Sequence, residues 1–463
     1  MNKSYLIDTS IILDDIENLI YLSQGGENRL FVCDVTLYEL NKKKDLNTEA
    51  GFFAREFFRN LTTAFNPQTM PTPLNEDKIH PMDFSYQNLL IPLLIIYRPS
   101  YKTKSLDYGL NDARITEIAR DYQITLLTND IALKVLALSS GIASQSLRRD
   151  QIENPNAIEF QTSFNIHKNA IKEDLEAKAD FQALSNWSLI EINEQDNTEN
   201  SLYFTGKKYY GFKRDKQFEM INFDEKLEED KLYIKPINLE QKFLYALLTH
   251  PNNKITICSG ATGSGKTLIA LQAGIFLYKK GVVDGIVYLR NTITANDKEA
   301  ELGYRKGDEN QKLHYFMYPL FSVINFMITK MQKESLAKRI EYAGDANSIE
   351  SKEATEYFLR KHNIEVMDIA HARGVSIAKK FVIFDEAQNA SNATIKLIGT
   401  RIAEDSRIVF LGDPAQIDHP YLSKFRNGLV SLLNKAKSDD FLAGIRLKQT
   451  IRSEIAGWFE DNF

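Results

Sequence analysis

The sequence predicts an α/β protein with two parallel-sheet domains and a small β-rich module between them. Three observations support this fold class. Near the N-terminus, short apolar runs that end in acidic residues alternate with segments of helical periodicity. After Trp187, apolar and polar residues alternate strictly, as they do in strands. Residues 260–267, GATGSGKT, stand between an apolar run and an amphipathic one. We therefore expect domains at residues 1–147 and 236–463, with a connector and the β-rich module at residues 148–235.

In the N-terminal domain, four acidic residues are expected at strand ends or helix starts. Asp8 follows the strand of SYLI, Glu39 lies on the helix after RLFVC, Asp112 begins the helix of GLNDARITEIARDY, and Asp130 follows ITLLT. The carboxyl ends of parallel strands share one edge of a sheet, so these carboxylates should converge and repel one another unless a divalent cation neutralises them. The pattern predicts a site for Mg²⁺ or Mn²⁺ that activates water for attack on a phosphodiester.

Each of these acids taken alone could also be a helix N-cap or a turn residue. All four together resemble the PIN-domain ribonucleases over residues 1–147. The resemblance implies metal-dependent cleavage of RNA, with Asp8 and Asp112 as catalytic residues as well as metal ligands. We interpret four other acids of this domain as capping or solvated charges: Asp14, Asp15, Asp34 and Asp107.

The middle region begins with a polar connector that contains a short charged helix, KNAIKEDLEAKADF. From Trp187 onward, WSLIEINE and NSLYFTGKKYYGFKR predict three or four short strands. Basic and aromatic residues interleave at 207–214, as they do in platforms that stack the bases of single strands. The alternative is a hairpin with lysines on its solvent face. The acidic run at 224–230 is interpreted as a linker.

The sequence GATGSGKT predicts a phosphate-binding loop between the strand of KITICS and a helix that ends near Gly281. In such a loop backbone N–H groups surround the phosphates, Lys266 reaches the β and γ oxygens, and the Thr267 hydroxyl ligates Mg²⁺. The alternative is a glycine-rich turn. The residues expected to hold ATP are Gly260, Ala261, Thr262, Gly263, Ser264, Gly265, Lys266 and Thr267.

Two further strand ends complete the predicted ATP site. In FVIFDEAQNA, Asp385 is expected to hold Mg²⁺ through water and Glu386 to act as the general base toward the attacking water. In RIVFLGDPAQ, Gln416 is expected beside the γ-phosphate, where it can sense whether that phosphate is present. The alternatives are a solvated turn at Asp385 and a strand exit capped by Asp413.

These motifs resemble motor ATPases of helicase superfamily 1 and, more closely, the PhoH-like ATPase family over residues 236–456. The resemblance assigns Gln241 to the adenine edge and makes Arg452 a candidate γ-phosphate finger, although Arg452 could equally be a surface arginine. Arg373 is a second candidate finger. The chain departs from the family at Arg290-Asn291, where proline usually follows the arginine, at residues 303–307, where GFLPG is usual, and at His371 and Arg373, which keep only part of the family's arginine-glycine-arginine-threonine pattern. The first two departures leave the ATP chemistry intact but make the choice of nucleic acid less certain.

The composition bounds the remaining possibilities. The chain has 463 residues, 43% of them hydrophobic and 26% charged, and a net charge of −5, so any binding to nucleic acid must come from local patches. The two cysteines, Cys33 and Cys258, are expected in buried strands, which suits a reducing compartment. The longest apolar run, LLIPLLIIY at 89–97, is too short to span a membrane. We expect a cytoplasmic protein.

The sequence thus predicts ATP-driven remodelling of single-stranded RNA coupled to metal-dependent cleavage. A single ATPase domain of this kind predicts a homo-oligomer, most simply a hexameric ring that places the nucleotide between subunits. One alternative is a nucleotide-gated regulatory protein whose PIN fold binds RNA without cleaving it. A second is a motor and nuclease that acts on DNA.

Overall fold

The computed structural model describes residues 3–46, 49–64, 71–102, 110–147, 152, 154–197, 201–290, 317–340, 351–372, 374–419, 422–451 and 458. The chain divides into two compact units, of which the first contains residues 1–151 and the second contains residues 152–294, 305–418 and 423–463. The second unit therefore includes both the middle region and the ATPase region. The boundaries expected at 147/148 and 235/236 stay a prediction.

The first unit is built on a seven-stranded sheet with helices around it. Its strands and helices are β1 (Ser4–Ile7), α1 (Thr9–Asp14), α2 (Asn18–Ser23), β2 (Arg29–Cys33), α3 (Asp34–Lys43), α4 (Glu49–Arg59), β3 (Leu61–Thr63), β4 (Lys78–Tyr86), β5 (Leu89–Tyr97), α5 (Leu110–Asp121), β6 (Thr125–Leu127), α6 (Ile131–Ser139) and β7 (Ser144–Gln145). The order in the sheet is β3-β4-β5-β2-β1-β6-β7. The five strands from β5 to β7 are parallel, and β4 and β3 continue the sheet in antiparallel pairs.

This topology explains where the predicted acids emerge. Strand β1 lies between β2 and β6, so the segments that follow all three leave the same edge of the sheet. The apolar residues of these strands are buried: Leu6, Phe31 and Leu126 are each at most 3% exposed. The run at 89–97 is strand β5 of this sheet. Within the described residues, no helix is long and apolar enough to cross a membrane.

The middle region folds as a four-stranded sheet, which confirms the predicted β-rich module. Its elements are β8 (Gln161–His167), α7 (Ile171–Glu176), α8 (Ala179–Gln182), β9 (Leu189–Asn197), β10 (Leu202–Arg214) and β11 (Gln217–Ile221), with the strand order β11-β10-β9-β8. Strand β8 was not predicted, because we took residues 148–182 for a connector. It pairs in parallel with β9 and buries Phe164 and Ile166.

The acidic run at 224–230 is not a linker, and this part of the prediction was wrong. Residues Phe223–Glu229 form helix α9, whose Phe223 and Leu227 are buried in the core of the second unit. Asn222 caps the helix by accepting a hydrogen bond from the backbone N–H of Glu225. The acids at 224, 225, 228 and 229 are exposed, whereas Asp230 accepts a hydrogen bond from the Tyr245 hydroxyl at 3.0 Å. The two buried apolar side chains are four residues apart, which is the period of a helix.

The ATPase region is a six-stranded sheet with helices on its faces. Its elements are α10 (Leu239–Thr249), β12 (Ile255–Gly260), α11 (Lys266–Lys279), β13 (Gly285–Arg290), α12 (Tyr318–Ile340), α13 (Ser351–Lys361), β14 (Ile364–Asp368), α14 (Ile369–Ala372), β15 (Lys380–Asp385), α15 (Asn392–Gly399), β16 (Arg407–Gly412), α16 (Gly428–Ala436) and β17 (Leu442–Leu447). The order is β14-β13-β15-β16-β12-β17, with every pair parallel. Strand β16 therefore lies between β12 and β15.

The many Lys, Glu and Asp residues at 320–363 predict a helical insert with a solvated surface or a subunit contact, but the first part of α12 belongs to the core. Leu320, Ile324 and Met327 of α12 are fully buried. Their spacing of four and three residues places them on one face of the helix. By contrast, the predicted end of α11 is confirmed: Gly281 has φ +70° and its N–H donates to the carbonyl of Tyr278.

Candidate functional site

The loop between β12 and α11 has the backbone that a phosphate-binding loop requires. Gly263 and Gly265 have φ of +83° and +88°, and Gly265 is the N-cap of α11. A Cβ atom at Gly265 would lie 2.7 Å from the side-chain nitrogen of Gln241, so glycine is required there by both conformation and space. The loop thus presents the N-terminus of α11, where backbone N–H groups attract anions.

Lys266 and Thr267 begin α11 and face in different directions. Lys266 Nζ donates to the carbonyl oxygens of Gly260 and Ala261, at 2.5 and 3.0 Å. Thr267 Oγ1 donates to Asp385 Oδ2 at 3.1 Å. The structure therefore brings together the hydroxyl and the carboxylate that were predicted to share Mg²⁺, and their hard oxygen donors suit that ion. The lysine lies over the loop that is expected to hold the phosphates.

Asp385 is held by a residue that the sequence analysis did not assign to the site. The hydroxyl of Tyr288, in the neighbouring strand β13, donates to Asp385 Oδ2 at 2.7 Å. Burial raises the pKa of Tyr288 well above its ordinary value, and the charge of Asp385 adds to the rise, so the phenol stays protonated and acts as a donor. The pairing of Tyr288 with Ile383 across the two strands places it there, and that register is not visible in the sequence.

Glu386 adopts an unusual backbone conformation. Its φ and ψ are 55° and 39°, in the left-handed region that residues other than glycine seldom occupy. Its backbone N–H is held by Asp385 Oδ1 at 3.0 Å, and its side chain meets Arg290 at 3.5 Å and Gln388 at 2.5 Å. Strained backbone of this kind is concentrated at functional sites, where surrounding contacts maintain it.

Gln416 lies against the phosphate-binding loop. Its Oε1 accepts a hydrogen bond of 2.9 Å from the Thr262 hydroxyl, and its carbonyl accepts one of 3.0 Å from Gln388 Nε2. Asp413 caps the same turn by accepting from the Ala415 N–H, so the turn-capping alternative and the predicted contact are both present. Because β16 runs between β12 and β15, the loop after it emerges between Thr262 and Glu386.

Gln241 lies next to the phosphate-binding loop, whereas the two predicted arginine fingers lie outside the described residues. The Gln241 amide donates to the carbonyl of Ser264 and accepts from the Ile237 N–H, so it supports the loop directly, and adenine recognition by this side chain stays a prediction. Arg373 and Arg452 lie outside the described residues. Just before the latter, the N–H of Ile451 donates to the carbonyl of Gly263 at 3.0 Å.

The four acids of the first unit are placed at the carboxyl edge of its sheet. Asp8 Oδ2 accepts hydrogen bonds from the Ser10 hydroxyl at 2.5 Å and from the Thr128 hydroxyl at 2.7 Å. Glu39 is bound on both oxygens, by Thr9 and Asn111. Asp130 caps α6 by accepting from the N–H groups of Ala132 and Leu133. The side chain of Asp112, in the first turn of α5, makes no hydrogen bond to any described residue.

The negative charges of these acids influence one another's pKa values. Burial raises the pKa of Asp112 to about 6, and the charges of the other three acids add to the rise. Burial also raises the pKa of Asp8, against the hydrogen bonds from Ser10 and Thr128 that lower it. Four mutually repelling carboxylates fit a divalent cation by their chemistry. Yet among the described residues no three His, Cys, Asp or Glu side chains converge closely enough to hold one.

Two other expectations from the sequence have clear outcomes. Asp14 and Asp15 are buried rather than solvated, at 3% and 8% exposure, and Asp15 Oδ1 accepts from the Glu17 N–H at 2.9 Å in the turn before α2. Asp107 lies outside the described residues. Cys33 and Cys258 are buried free thiols in β2 and β12, as expected.

The basic and aromatic residues at 207–214 are used largely inside the second unit. Phe212 is 1% exposed and packs on Phe243, while Lys208 pairs with Glu191 at 2.6 Å. The Arg214 guanidinium lies 4.2 Å from the centre of the Trp187 ring. These contacts favour the structural alternative over a base-stacking platform for this stretch.

Comparisons with known proteins agree with this arrangement. Residues 233–463 match the family described as PhoH-like protein, and residues 5–148 match the PIN domain. Protein PhoH2 of Bacillus subtilis is 25% identical, covering 98% of this chain and 98% of that protein. The proteins of the same name from Thermobispora bispora and Mycolicibacterium smegmatis are 24% and 23% identical, each covering 98% of this chain and 95% of the relative. The chain therefore belongs to the PhoH-like proteins that carry an N-terminal PIN domain.

Proposed function

We propose that this protein uses ATP to remodel or unwind single-stranded RNA and cleaves that RNA at a metal-dependent site in its PIN domain. The observation that carries the proposal is a continuous set of hydrogen bonds across the ATP site. It runs from Thr262 in the phosphate-binding loop to Gln416, then through Gln388 to Glu386. A change at the γ-phosphate would therefore reach the loops that follow β15 and β16, which is what a nucleotide-driven motor needs.

Each residue of the ATP site has a definite part in this proposal. On nucleotide binding, Lys266 would exchange the carbonyls of Gly260 and Ala261 for phosphate oxygens. Thr267 and Asp385 would hold Mg²⁺, which supplies charge neutralisation at the phosphates. Glu386 would accept the proton of the attacking water. The N-terminus of α11 would add its fixed positive end to the same charge.

For the PIN domain we propose that Asp8, Glu39, Asp112 and Asp130 hold Mg²⁺ or Mn²⁺. The bound ion would supply an activated water for attack on the phosphodiester. Asp112 supports this role best, because its carboxylate has no hydrogen bond to a described residue and its pKa is raised by burial and by the charges of its three acidic neighbours. Glu39 and Asp130 would have to release their present partners to join the ion.

We also propose that the active form is a homo-oligomer, most simply a hexameric ring. The chain has one ATPase domain, and Arg373 or Arg452 would act across the interface on the nucleotide of a neighbour. Mixing Arg452→Ala subunits with Lys266→Ala subunits should then restore part of the ATPase activity. If light scattering shows a monomer and that monomer has full ATPase activity, the ring is excluded.

One specific observation favours a second candidate, a nucleotide-gated regulatory protein that binds RNA without cleaving it. Glu39 and Asp130 are occupied as a hydrogen-bond acceptor and a helix cap, and the described acids do not form a ready ligand cluster. In this case the acids would serve the fold of the PIN domain, and ATP would control only the affinity for RNA.

One experiment separates the two candidates. Labelled single-stranded RNA and DNA are incubated with the full chain, with and without ATP, in Mg²⁺ or Mn²⁺, and shortened products are measured. Asp112→Asn should reduce cleavage at least a hundredfold, since a lost ligand removes several kcal/mol of transition-state stabilisation. It should leave the rate of ATP hydrolysis unchanged. The unfolding temperature should stay the same or rise slightly, because the substitution relieves repulsion among the four carboxylates.

The matched control is Asp45→Asn, an exposed acid outside the cluster, which should cleave like the parent protein. If no metal-dependent cleavage of RNA is found, the regulatory candidate takes the place of the nuclease. If Asp112→Asn cleaves as well as the parent, the cleavage does not come from the proposed acidic site. Cleavage of DNA alone would move the proposal to a DNA-directed enzyme.

A further inference from the structure

The first unit contains a cavity of about 470 Å³ that none of the roles above uses. It is lined by residues of β1, β6 and β7 together with residues of α2 and α6, and the four acids of the proposed nuclease site are not among them. Leu127 lines the cavity, whereas the next residue, Thr128, bonds to Asp8. The cavity is therefore separate from the acidic site but adjoins a segment that positions it.

The charge of the lining indicates an anionic ligand. The described residues around the cavity include Lys3 and Lys134 and no aspartate or glutamate. Lys134 Nζ donates to the Ser146 hydroxyl at 3.1 Å, which leaves further donor capacity on the ammonium group. Two lysines in a described lining that contains no carboxylate favour a phosphate, to which lysine binds through charge-assisted hydrogen bonds.

A buried hydroxyl in the lining is a second, independent indication of a ligand. Ser144 is 9% exposed, its Oγ is buried, and among the described residues this atom has no hydrogen-bond partner. Buried polar groups are nearly always hydrogen-bonded, and a missing partner needs an explanation. Because Ser144 lines the cavity, rotation of its hydroxyl toward a bound ligand would supply that partner.

The remaining lining suits a ring system. Tyr21 is 53% exposed and contributes a ring that is available for stacking, and Gln145 contributes a carboxamide that can pair with polar ring edges. The volume lies within the range of roughly 300–1,000 Å³ that is common for small-molecule sites. We propose that this cavity binds a nucleoside monophosphate unit, either a free nucleotide or the phosphorylated end of a single strand of RNA.

The proposal does not depend on nuclease or ATPase activity, because its test measures binding. The full chain is saturated with a non-hydrolysable ATP analogue to fill the phosphate-binding loop and is titrated with the four nucleoside 5′-monophosphates and their nucleosides by calorimetry. At least one monophosphate should bind saturably and about tenfold or more tightly than its nucleoside. Lys134→Gln should weaken that binding by about tenfold.

Two controls locate the ligand. Lys78→Gln removes an exposed lysine of β4 outside the cavity and should bind like the parent, and Asp112→Asn should also retain binding. Ser144→Val, which replaces the hydroxyl by a methyl group and adds bulk, should weaken binding without lowering the unfolding temperature; it serves as the second test if Lys134→Gln misfolds. A 5′-phosphorylated RNA tetramer that binds more tightly than the mononucleotide, and more tightly than its unphosphorylated form, would identify a strand end as the source.

Three outcomes would overturn the proposal. The first is the absence of saturable binding by any monophosphate or phosphorylated tetramer at millimolar concentration. The second is equal binding of nucleoside and monophosphate, since the phosphate would then not be recognised. The third is binding that survives both Lys134→Gln and Ser144→Val unchanged, or that is lost in Asp112→Asn, because the ligand would then lie elsewhere.

Discussion

Gln388 connects Glu386, the proposed general base, to Gln416, the predicted sensor. Its side chain is fully buried, its Nε2 donates to Glu386 and to the carbonyl of Gln416, and its Oε1 accepts from the Asp413 N–H at 3.1 Å. A Cβ atom at Gly412 would lie 2.3 Å from that Oε1, so the glycine makes room for the amide. A carboxamide is suited to this place because it both donates and accepts.

Replacing this amide should therefore uncouple the two loops. We expect Gln388→Ala to lower the rate of ATP hydrolysis by about ten- to a hundredfold, the range of general-base effects, because Glu386 loses a hydrogen bond that orients its carboxylate for the proposed role as general base. Binding of the ATP analogue should change little. The rate is measured by phosphate release at saturating ATP.

The control for this prediction is Gln272→Ala. Gln272 is also buried and also binds backbone at both ends of its amide, at the N–H and the carbonyl of Ile234, but it lies on α11 away from Glu386. It should lower the unfolding temperature and leave the rate of the folded enzyme unchanged. Equal rates for Gln388→Ala and the parent would show that Gln388 has no part in catalysis.

At the scale of elements, the segment that follows β17 is tied to the ATP site at two points. Glu240, on α10, accepts hydrogen bonds from the N–H groups of Lys448 and Gln449 at 2.7 and 3.2 Å. Two residues later the Ile451 N–H reaches the carbonyl of Gly263. The segment thus links α10, the phosphate-binding loop and the chain that continues to Arg452.

We expect Glu240→Ala to raise the KM for ATP by about tenfold, because the loop loses a support that a charged acceptor provides. The matched control is Glu159→Ala, which breaks the ion pair of 2.8 Å with Lys448 on the same segment. That pair is about half exposed on both sides and should contribute little. Steady-state kinetics would contradict the prediction if both variants had the KM of the parent.

The middle sheet is joined to α10 by aromatic side chains. Phe212 of β10 lies between Trp187, Phe243 and His250, with ring centres 6.0 to 6.2 Å apart. On the same strand, Phe204 is 59% exposed. One strand therefore offers a buried and an exposed phenylalanine for comparison.

We expect Phe212→Ala to destabilise the second unit by about 3–5 kcal/mol, the usual cost of removing a buried phenylalanine. Phe204→Ala should change the stability by less than about 0.5 kcal/mol. Chemical denaturation followed by circular dichroism measures both. Similar losses in the two variants would mean that the packing around Phe212 does not hold the sheet to the helix.

For the whole molecule, the sequence predicted the parts that depend on local spacing. The phosphate-binding loop, the strands that end at Asp8 and Asp385, and the helix end at Gly281 all follow from patterns of a few residues. The roles of Tyr288 and Gln388 depend on strand register and on the position of β16 between β12 and β15, which no local pattern encodes. Strand β8 and helix α9 were missed because polar composition suggested a connector, although Phe164, Phe223 and Leu227 are buried.

The stability of the second unit should depend on pH through His362. This side chain is 2% exposed, its ring lies 4.5 Å from that of Phe358, and its Nε2 is 3.2 Å from the Tyr233 hydroxyl. Burial, together with the charges of Lys279 and Lys361, lowers the pKa of His362 to about 4. The ordinary value is 6.5, so between pH 6.5 and 4 the unfolded chain binds a proton that the folded chain excludes.

The free energy of unfolding should therefore fall as the pH falls from about 6.5 to 4, and this contribution should level off below that range. His362→Gln should take up about one proton fewer on unfolding at pH 5 than the parent does. In this variant the free energy of unfolding should still depend on pH, because burial also lowers the pKa of His250 in the same unit. His167→Gln, at a partly exposed ring in β8, is the control and should keep the slope of the parent. Calorimetry of the second unit's transition between pH 4 and 7 decides the matter: an unchanged slope in His362→Gln would mean that the ring is already protonated or becomes hydrated in the folded protein.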